Sequence, residues 1–210
     1  MTLEDAILNV RTLLDEVESD FYTDDEIIQE LRNSQNEMLR IVYTNYKNRL
    51  MRDPETIVEE VLRNSLNETT VSLNTGQRSV SVPTRYFGYQ VVYYRTDNNK
   101  PLALAYQREI NHHQARLINT VYGSSTDNEP YFEINNNNFV FENSVPGGAT
   151  GTAKIVYFEY AEDPIETMPE KVHYTIVQGA FGSILRKDAD TQGNSNAEYQ
   201  KFLNMVNEIL

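Results

Sequence analysis

The 210-residue sequence contains no cysteine, no tryptophan and no long run of apolar residues. Without cysteine the chain forms no disulfide and offers no thiol for catalysis or metal binding. Because no apolar run approaches the roughly 20 residues of a transmembrane helix, we expect no membrane segment. The first five residues carry acidic side chains where a signal peptide has basic ones, so we also expect no secretion signal.

Positive charge is scarce as well. The 18 Lys and Arg residues face 31 Asp and Glu residues, which gives a formal net charge of -13 at pH 7. A surface of this sign repels phosphate groups and provides no general footprint for nucleic-acid binding. If the protein meets DNA, we expect it to do so without binding tightly. The hydrophobic fraction of 40% is typical of a folded protein with a sizeable core.

Hydrophobic periodicity divides the chain into a helical zone, a strand zone and a second helical zone. In residues 1–66, Thr2 and the capping box at 23–26 predict two helices, the second about 27 residues long. Asp53 and Pro54 predict the start of a third helix. Residues 166–210 return to helical spacing. We therefore predict an α+β fold, in which the N- and C-terminal helices form one bundle and an antiparallel β domain, residues 67–165, is inserted between them.

Alternation of apolar and polar residues predicts the strands of the inserted domain. Val71 and Leu73 alternate with polar residues, as do Val80 and Val82, and the turn residues at 74–77 predict that these two runs form a hairpin. Further strands are predicted at 90–94, 102–106, 131–134, 139–141 and 154–160, with a turn at 135–138 and a short helix at 109–122.

Chemical motifs are few, and each has a simple structural interpretation. Residues 188–193 begin like a calcium loop, but Tyr199 occupies the position of the bidentate glutamate, which favours an ordinary interhelical loop. Two carboxylate–histidine pairs each offer two ligands where a metal needs three or four: Glu109 with His113, and Glu170 with His173. No phosphate loop, dinucleotide fingerprint or serine-nucleophile turn is present. We therefore predict no catalytic residues, no metal and no cofactor.

Tyrosine is abundant, with 14 residues. A tyrosine ring buries apolar area while its hydroxyl stays hydrogen-bonded, which suits surfaces that contact other proteins. Tyrosine is equally common as a half-buried residue of strands. Both interpretations remain open from the sequence.

The order of these features resembles the head-to-tail connector, or adaptor, proteins of tailed bacteriophages, of the tail tubular protein A type found in short-tailed phages. The resemblance covers nearly the whole chain, and 109–128 fit it least well. Four groups of segments carry it: 20–28 with Asn36 and Glu37; 80–83 with 90–94 and Pro101; 130–134 with 139–141 and 155–160; and 168–180 with 185–190.

This resemblance implies a structural virion protein at the head–tail junction, assembled in the host cytoplasm, and not an enzyme. It implies a dodecameric ring that binds the portal protein, extends the DNA channel and docks the next tail or nozzle protein, while DNA passes through without specific binding. It also implies a portal or subunit contact through the apolar stripe of the last helix. The stripe consists of Phe202, Leu203, Val206, Ile209 and Leu210.

Alternatives remain at two levels. The same stripe is equally compatible with completing the core of the helical bundle, because a core stripe and a contact stripe look alike in sequence. The chain could instead be another tail ring or a completion protein. A third alternative is a non-viral calcium- or carbohydrate-binding module, based on residues 188–193 and the tyrosine-rich strands.

Overall fold

The computed structural model describes residues 1–15, 21–53, 55–108, 126–161, 164–187 and 192–209, although not the side chains of 192–194. The chain divides into two compact units. The first, which we call the helical unit, comprises Met1–Ser65 and Tyr160–Leu210. The second, the β unit, comprises Leu66–Glu159. The helical unit is therefore discontinuous in sequence, whereas the β unit is one continuous stretch.

The described part of the helical unit contains five α-helices and a short 3₁₀ turn at Glu170–Val172. The helices are α1 (Leu3–Leu13), α2 (Asp24–Leu50), α3 (Glu60–Arg63), α4 (His173–Lys187) and α5 (Gln192–Ile209).

Local start signals determine where α1 and α2 begin. The Thr2 hydroxyl accepts a hydrogen bond from the Asp5 N–H, and the Asp5 carboxylate accepts one from the Thr2 N–H. Thr23 and Glu26 form the same reciprocal pair at the start of α2. Each pair satisfies backbone N–H groups that the first turn of a helix leaves without partners. The predicted capping box at 23–26 and the long helix after it are confirmed.

The prediction of a third helix starting at Asp53 and Pro54 is wrong, because residues 55–59 are not helical and α3 begins only at Glu60. The Asp53 carboxylate accepts a hydrogen bond from the Glu55 N–H, and its carbonyl accepts one from the Thr56 hydroxyl. These contacts make a local turn. A capping residue thus closes a turn here without starting a helix.

Helix α4 is the centre of the helical packing and contacts α1, α2 and α5. Gly179 brings it close to two of these helices. A β-carbon at Gly179 would overlap the Ser34 Oγ of α2 and lie 2.8 Å from Cδ2 of Phe202 in α5. Contacts between α1 and α2, and between α2 and α5, are sparse. The predicted bundle of N- and C-terminal helices is therefore only partly evident, although the α+β class is confirmed.

In the part of the chain that the structure describes, seven strands form one sheet in the order β1-β7-β3-β4-β5-β6-β2. They are β1 (Leu66–Leu73), β2 (Ser79–Ser81), β3 (Tyr86–Arg95), β4 (Ala103–Gln107), β5 (Tyr131–Asn135), β6 (Asn138–Phe141) and β7 (Gly151–Glu159). The strands predicted from 90 onward all exist. The purely antiparallel arrangement is wrong at one place, because β4 and β5 are parallel. A parallel pair needs a crossover of a dozen or more residues, and residues 108–130 provide that length.

The predicted hairpin of β1 and β2 is also wrong. β1 pairs with β7 and β2 pairs with β6, at opposite edges of the sheet. The turn itself exists, with Gly76 at φ 80° and a hydrogen bond from the Gln77 N–H to the Asn74 carbonyl. Val145, however, exchanges hydrogen bonds with Gly76 and Gln77, which ties this turn to the loop after β6. The turn therefore leads the chain towards β6 and away from β1.

The turn at 135–138 is confirmed as the connection between β5 and β6. Asn136 and Asn137 have φ values of 47° and 58° and connect the paired residues Asn135 and Asn138. Two successive positive φ angles define the hairpin turn whose twist matches the strands, and asparagine tolerates them. The helix predicted at 109–122 lies outside the described residues.

Aromatic residues dominate the core of the β unit. Phe132, Phe139 and Phe141 are fully buried on β5 and β6. The ring of Tyr94 on β3 stacks on Phe141 at a centroid distance of 4.0 Å, and its hydroxyl donates to the Asn143 carbonyl at 2.7 Å. Tyr94 and Tyr157 are thus core residues, which fits the interpretation of tyrosine as a strand residue for these two.

Candidate interaction surfaces

The apolar stripe of α5 divides between core and surface. Phe202 and Val206 are completely buried, and Phe202 packs beside Gly179. Leu203 and Ile209 are half-buried, and Leu210 lies outside the described residues. Two members of the stripe therefore support the interior of the helical unit, while two others keep part of their surface accessible.

The candidate metal ligands are not assembled into a site within the described residues. Residues 188–191, Glu109 and His113 lie outside the description. Glu170 is exposed, whereas His173 is buried and its Nε2 lies 2.9 Å from the Met168 carbonyl oxygen. In the described part of the chain, no three His, Asp or Glu side chains are grouped so that they could hold a metal ion.

A buried carboxylate joins α2 to the C-terminal end of α4. Glu30 pairs with the Lys187 ammonium at 2.8 Å and accepts a hydrogen bond from the Ser183 hydroxyl at 2.5 Å. Burial opposes ionisation of Glu30, but the hydrogen bonds from Lys187 and Ser183 outweigh it and hold the pKa of Glu30 below its usual value. This contact joins two helices that lie far apart in sequence.

Strand β4 and the residue before it expose apolar side chains on the face opposite the core. Leu102, Leu104 and Tyr106 are exposed at alternate positions, whereas Ala105 points into the core. The Tyr106 ring lies 6.0 Å from that of Tyr131 on β5. The sequence signal for this surface was available but unused, because apolar residues occupy both faces of β4 where a one-sided strand would alternate strictly.

A groove of about 510 Å³ separates the start of α4 from α1. Leu8 and Tyr174 flank it and are 53% and 63% exposed. The groove is lined by Met1, Asp5, Leu8, Asn9, Glu170, His173 and Tyr174. Hydrogen bonds from the backbone and side chain of Thr2 lower the pKa of Asp5, so its carboxylate remains charged at neutral pH. Sequence reasoning missed this groove because its two walls come from opposite ends of the chain.

Exposed apolar residues also follow the C-terminal end of α2. Met51 is 77% exposed and Ile57 is 72% exposed. Arg52, between them, is exposed, and within the described residues its side chain forms no hydrogen bond or ion pair. Within the same residues, no helix combines the length and the apolar character needed to cross a membrane.

Exposed apolar side chains on both units leave surface available for contact with other proteins. The class of the protein follows from the comparison with known families. The family model described as SU10 adaptor protein matches residues 1–210, and the chain therefore belongs to this family of bacteriophage adaptors. A search among curated proteins found no match. The expected resemblance is thus confirmed at the level of a phage adaptor, a structural component of the virion.

Proposed function

We propose that the protein forms a ring below the portal, extends the DNA channel and docks the next tail component, as adaptors of the tail tubular protein A type do. The observation that carries this proposal is the family match over the whole chain, residues 1–210. A ring also suits a small chain, because a heterologous interface that closes by rotation lets many identical copies build one large structure.

The charge of the chain supports the channel role. With a net charge of -13 per copy, a ring presents a strongly negative surface. Acidic side chains along a lumen deny cationic contacts to the phosphate backbone, so DNA slides through without being held. The charge of the channel wall in an assembled ring tests this step, since a neutral or basic wall would contradict it.

For the portal or subunit contact we propose the α5 stripe of Phe202, Leu203, Val206, Ile209 and Leu210. Its half-buried members Leu203 and Ile209 would touch the partner, and the buried Phe202 and Val206 would hold α5 in place. Deleting the chain from Asn204 onward is expected to abolish portal attachment. Because that deletion also removes buried Val206, Leu203→Asp and Ile209→Asp are the cleaner variants.

The primary experiment provides the portal on which the ring is expected to assemble. Purified protein is mixed with portal-bearing, tail-less heads of the source phage, and the portal vertex is imaged by electron microscopy. A new ring at the vertex, with its symmetry counted from the images, is the expected result. The two aspartate variants should fold with a normal melting temperature and yet leave the vertex bare. If folded wild-type protein leaves competent heads undecorated, the proposal fails in favour of a later tail ring or a completion protein.

A further inference from the structure

Several polar groups of the α1–α4 groove are hydrogen-bond acceptors. Asn9 donates through Nδ2 to the Met1 sulfur at 3.8 Å, which leaves its Oδ1 as an acceptor. Since the Met168 carbonyl only accepts, the proton of the neutral His173 ring lies on Nε2, and Nδ1 is an acceptor. His173 is only 5% exposed, and its Nδ1 has no hydrogen-bond partner. The carboxylates of Asp5 and Glu170 complete the set.

The charge balance of the groove points the same way. The N-terminal ammonium is near enough to Asp5 to contribute to its lowered pKa, and it offsets that carboxylate. Glu170 is exposed and has no ion-pair partner among the described residues. The groove therefore carries an uncompensated negative charge beside the exposed side chains of Leu8 and Tyr174.

These acceptors suit a cation that has several N–H donors at the end of an apolar stem. Within the described residues the carboxylates and His173 are not grouped tightly enough to hold a metal ion. An arginine side chain fits better, because its guanidinium has five donors, its stem packs on apolar surface and its plane stacks on an aromatic ring such as Tyr174. An apolar residue next to that arginine would cover Leu8.

The chain itself has an exposed arginine beside an exposed apolar residue directly after the end of α2. Met51 and Arg52 are consecutive, both are exposed, and neither lines the groove of its own chain. Arg78 is another exposed arginine, but its neighbours Gln77 and Ser79 are polar and exposed. Only the first of these two positions presents an apolar side chain together with the guanidinium.

We propose that Met51 and Arg52 of one copy dock into the α1–α4 groove of the next copy in the ring, with Arg52 on Glu170 and Met51 against Leu8 and Tyr174. This inference rests on the proposed ring and names its subunit contact. The two surfaces are different patches of the same chain, so the contact is heterologous and repeats from copy to copy. It also places opposite charges together in a chain whose copies otherwise repel each other.

A charge exchange tests the contact on the portal-bearing heads. Glu170→Arg and Arg52→Glu should each reduce the fraction of ring-bearing heads by about tenfold or more, because each places like charges in the interface. The double variant should restore decoration to near the wild-type level. Matched controls are Glu166→Arg, an exposed carboxylate outside the groove, and Arg78→Glu. Both should decorate heads normally, and melting temperatures should show that every variant is folded.

Cross-linking gives an independent readout, since the natural chain has no cysteine. Thr12→Cys places a thiol on α1 one turn beyond Leu8, and Asp53→Cys places one beside Arg52. The two single variants are mixed, assembled on heads and treated with a bis-maleimide, so that any product joins two different copies. A covalent dimer is expected from the mixture and not from either variant alone.

The outcomes separate this inference from the proposed function. If wild-type protein forms rings but Glu170→Arg and Arg52→Glu do so equally well, the ring stands and this contact is overturned. Rings that give no cross-link in the mixture overturn it as well. If wild-type protein forms no ring, the proposed function fails, and this inference fails with it. Loss in both single variants with no recovery in the double variant also overturns the direct pairing of Arg52 with Glu170.

Discussion

The helical unit and the β unit stabilise their interiors in different ways. The core of the β unit is an apolar and aromatic cluster that includes Phe132, Phe139 and Phe141. The helical unit also has an apolar core, but it adds three buried polar residues on one stretch of α2, namely Glu30, Ser34 and Gln35. In a sheet the backbone ladder sets the register of neighbouring elements, so the side chains are free to be apolar. Packed helices have no such ladder between them, so directional side-chain contacts set their relative positions.

All three buried polar residues of α2 reach towards the C-terminal part of the chain. Ser34 donates to the Ile176 carbonyl at 2.8 Å, and the Gln35 amide oxygen accepts from the Ile165 N–H at 2.7 Å. Glu30 bonds Ser183 and Lys187 on α4. Each of these hydrogen bonds offsets part of the cost of burying a polar group and favours one arrangement of the helices. The two halves of the discontinuous unit are thus aligned by a short row of hydrogen bonds.

The largest effects on stability are expected from removing one large buried side chain from each core in turn. Phe141→Ala removes a stacked, fully buried ring from the β unit, and Phe202→Ala removes one from the helical unit. Each should lower the free energy of unfolding of its own unit by about 3–5 kcal/mol. Calorimetry should show two transitions, of which each variant shifts one. A single transition shifted equally by both variants would show that the two units unfold together and would break the comparison.

Filling the close approach at Gly179 should produce a smaller loss. Gly179→Ala improves helix propensity, but the new methyl group overlaps Ser34 Oγ and the Phe202 ring. We expect a net destabilisation of about 1–3 kcal/mol, measured by chemical denaturation. Gly182→Ala is the matched control on the same helix, because its nearest neighbour, the Tyr199 nitrogen, would lie 3.3 Å away. Equal losses at both positions would contradict the packing argument.

The buried carboxylate makes the helical unit sensitive to acid. Because the folded pKa of Glu30 is lowered, its contribution to stability is complete above the ordinary glutamate pKa and is lost as the pH falls from there to the folded pKa. Glu30→Gln should cost about 1–3 kcal/mol at neutral pH, and the difference from wild type should shrink in acid. Denaturation curves across this pH range measure it, and a difference that is independent of pH would refute the assignment.

The smallest effect concerns a turn of the β unit. Asn137 has a φ of 58°, a value that asparagine tolerates and that costs alanine about 1–2 kcal/mol. Asn137→Ala should therefore lower the melting temperature of the β unit, whereas Asn137→Gly should maintain or raise it. If the two variants have the same melting temperature, the φ angle at position 137 does not limit the stability of the sheet.

Features determined by nearby residues could be predicted from the sequence. The helix cap at Thr2, the capping box at Thr23 and the asparagine turn at 135–138 are local, and all three occur in the structure. Strand pairing was not predictable in the same way, because alternation shows that a segment is a strand without showing its partner or direction. For that reason the β1–β2 hairpin and the wholly antiparallel sheet were wrong.

The surfaces were harder to predict than the elements. On α5 the stripe is visible in the sequence, but whether Phe202 or Leu203 meets the core depends on where α4 lies. The α1–α4 groove is formed by side chains about 165 positions apart, such as Asp5 and Glu170. Hydrophobic periodicity describes one element at a time and cannot predict a site that two distant elements share.

The pairing of β1 with β7 affects how the chain accommodates its insert. Leu66 and Phe158, near the two ends of the β unit, are partners in this ladder. Once the sheet has formed, the two ends of the β unit lie side by side. The β unit then acts as a short connection between the two parts of the helical unit. The entropic cost of loop closure rises only slowly with loop length, and here the pairing of β1 with β7 offsets it. An insert with adjacent ends can lengthen, shorten or be exchanged over evolution while the surrounding helices keep their fold.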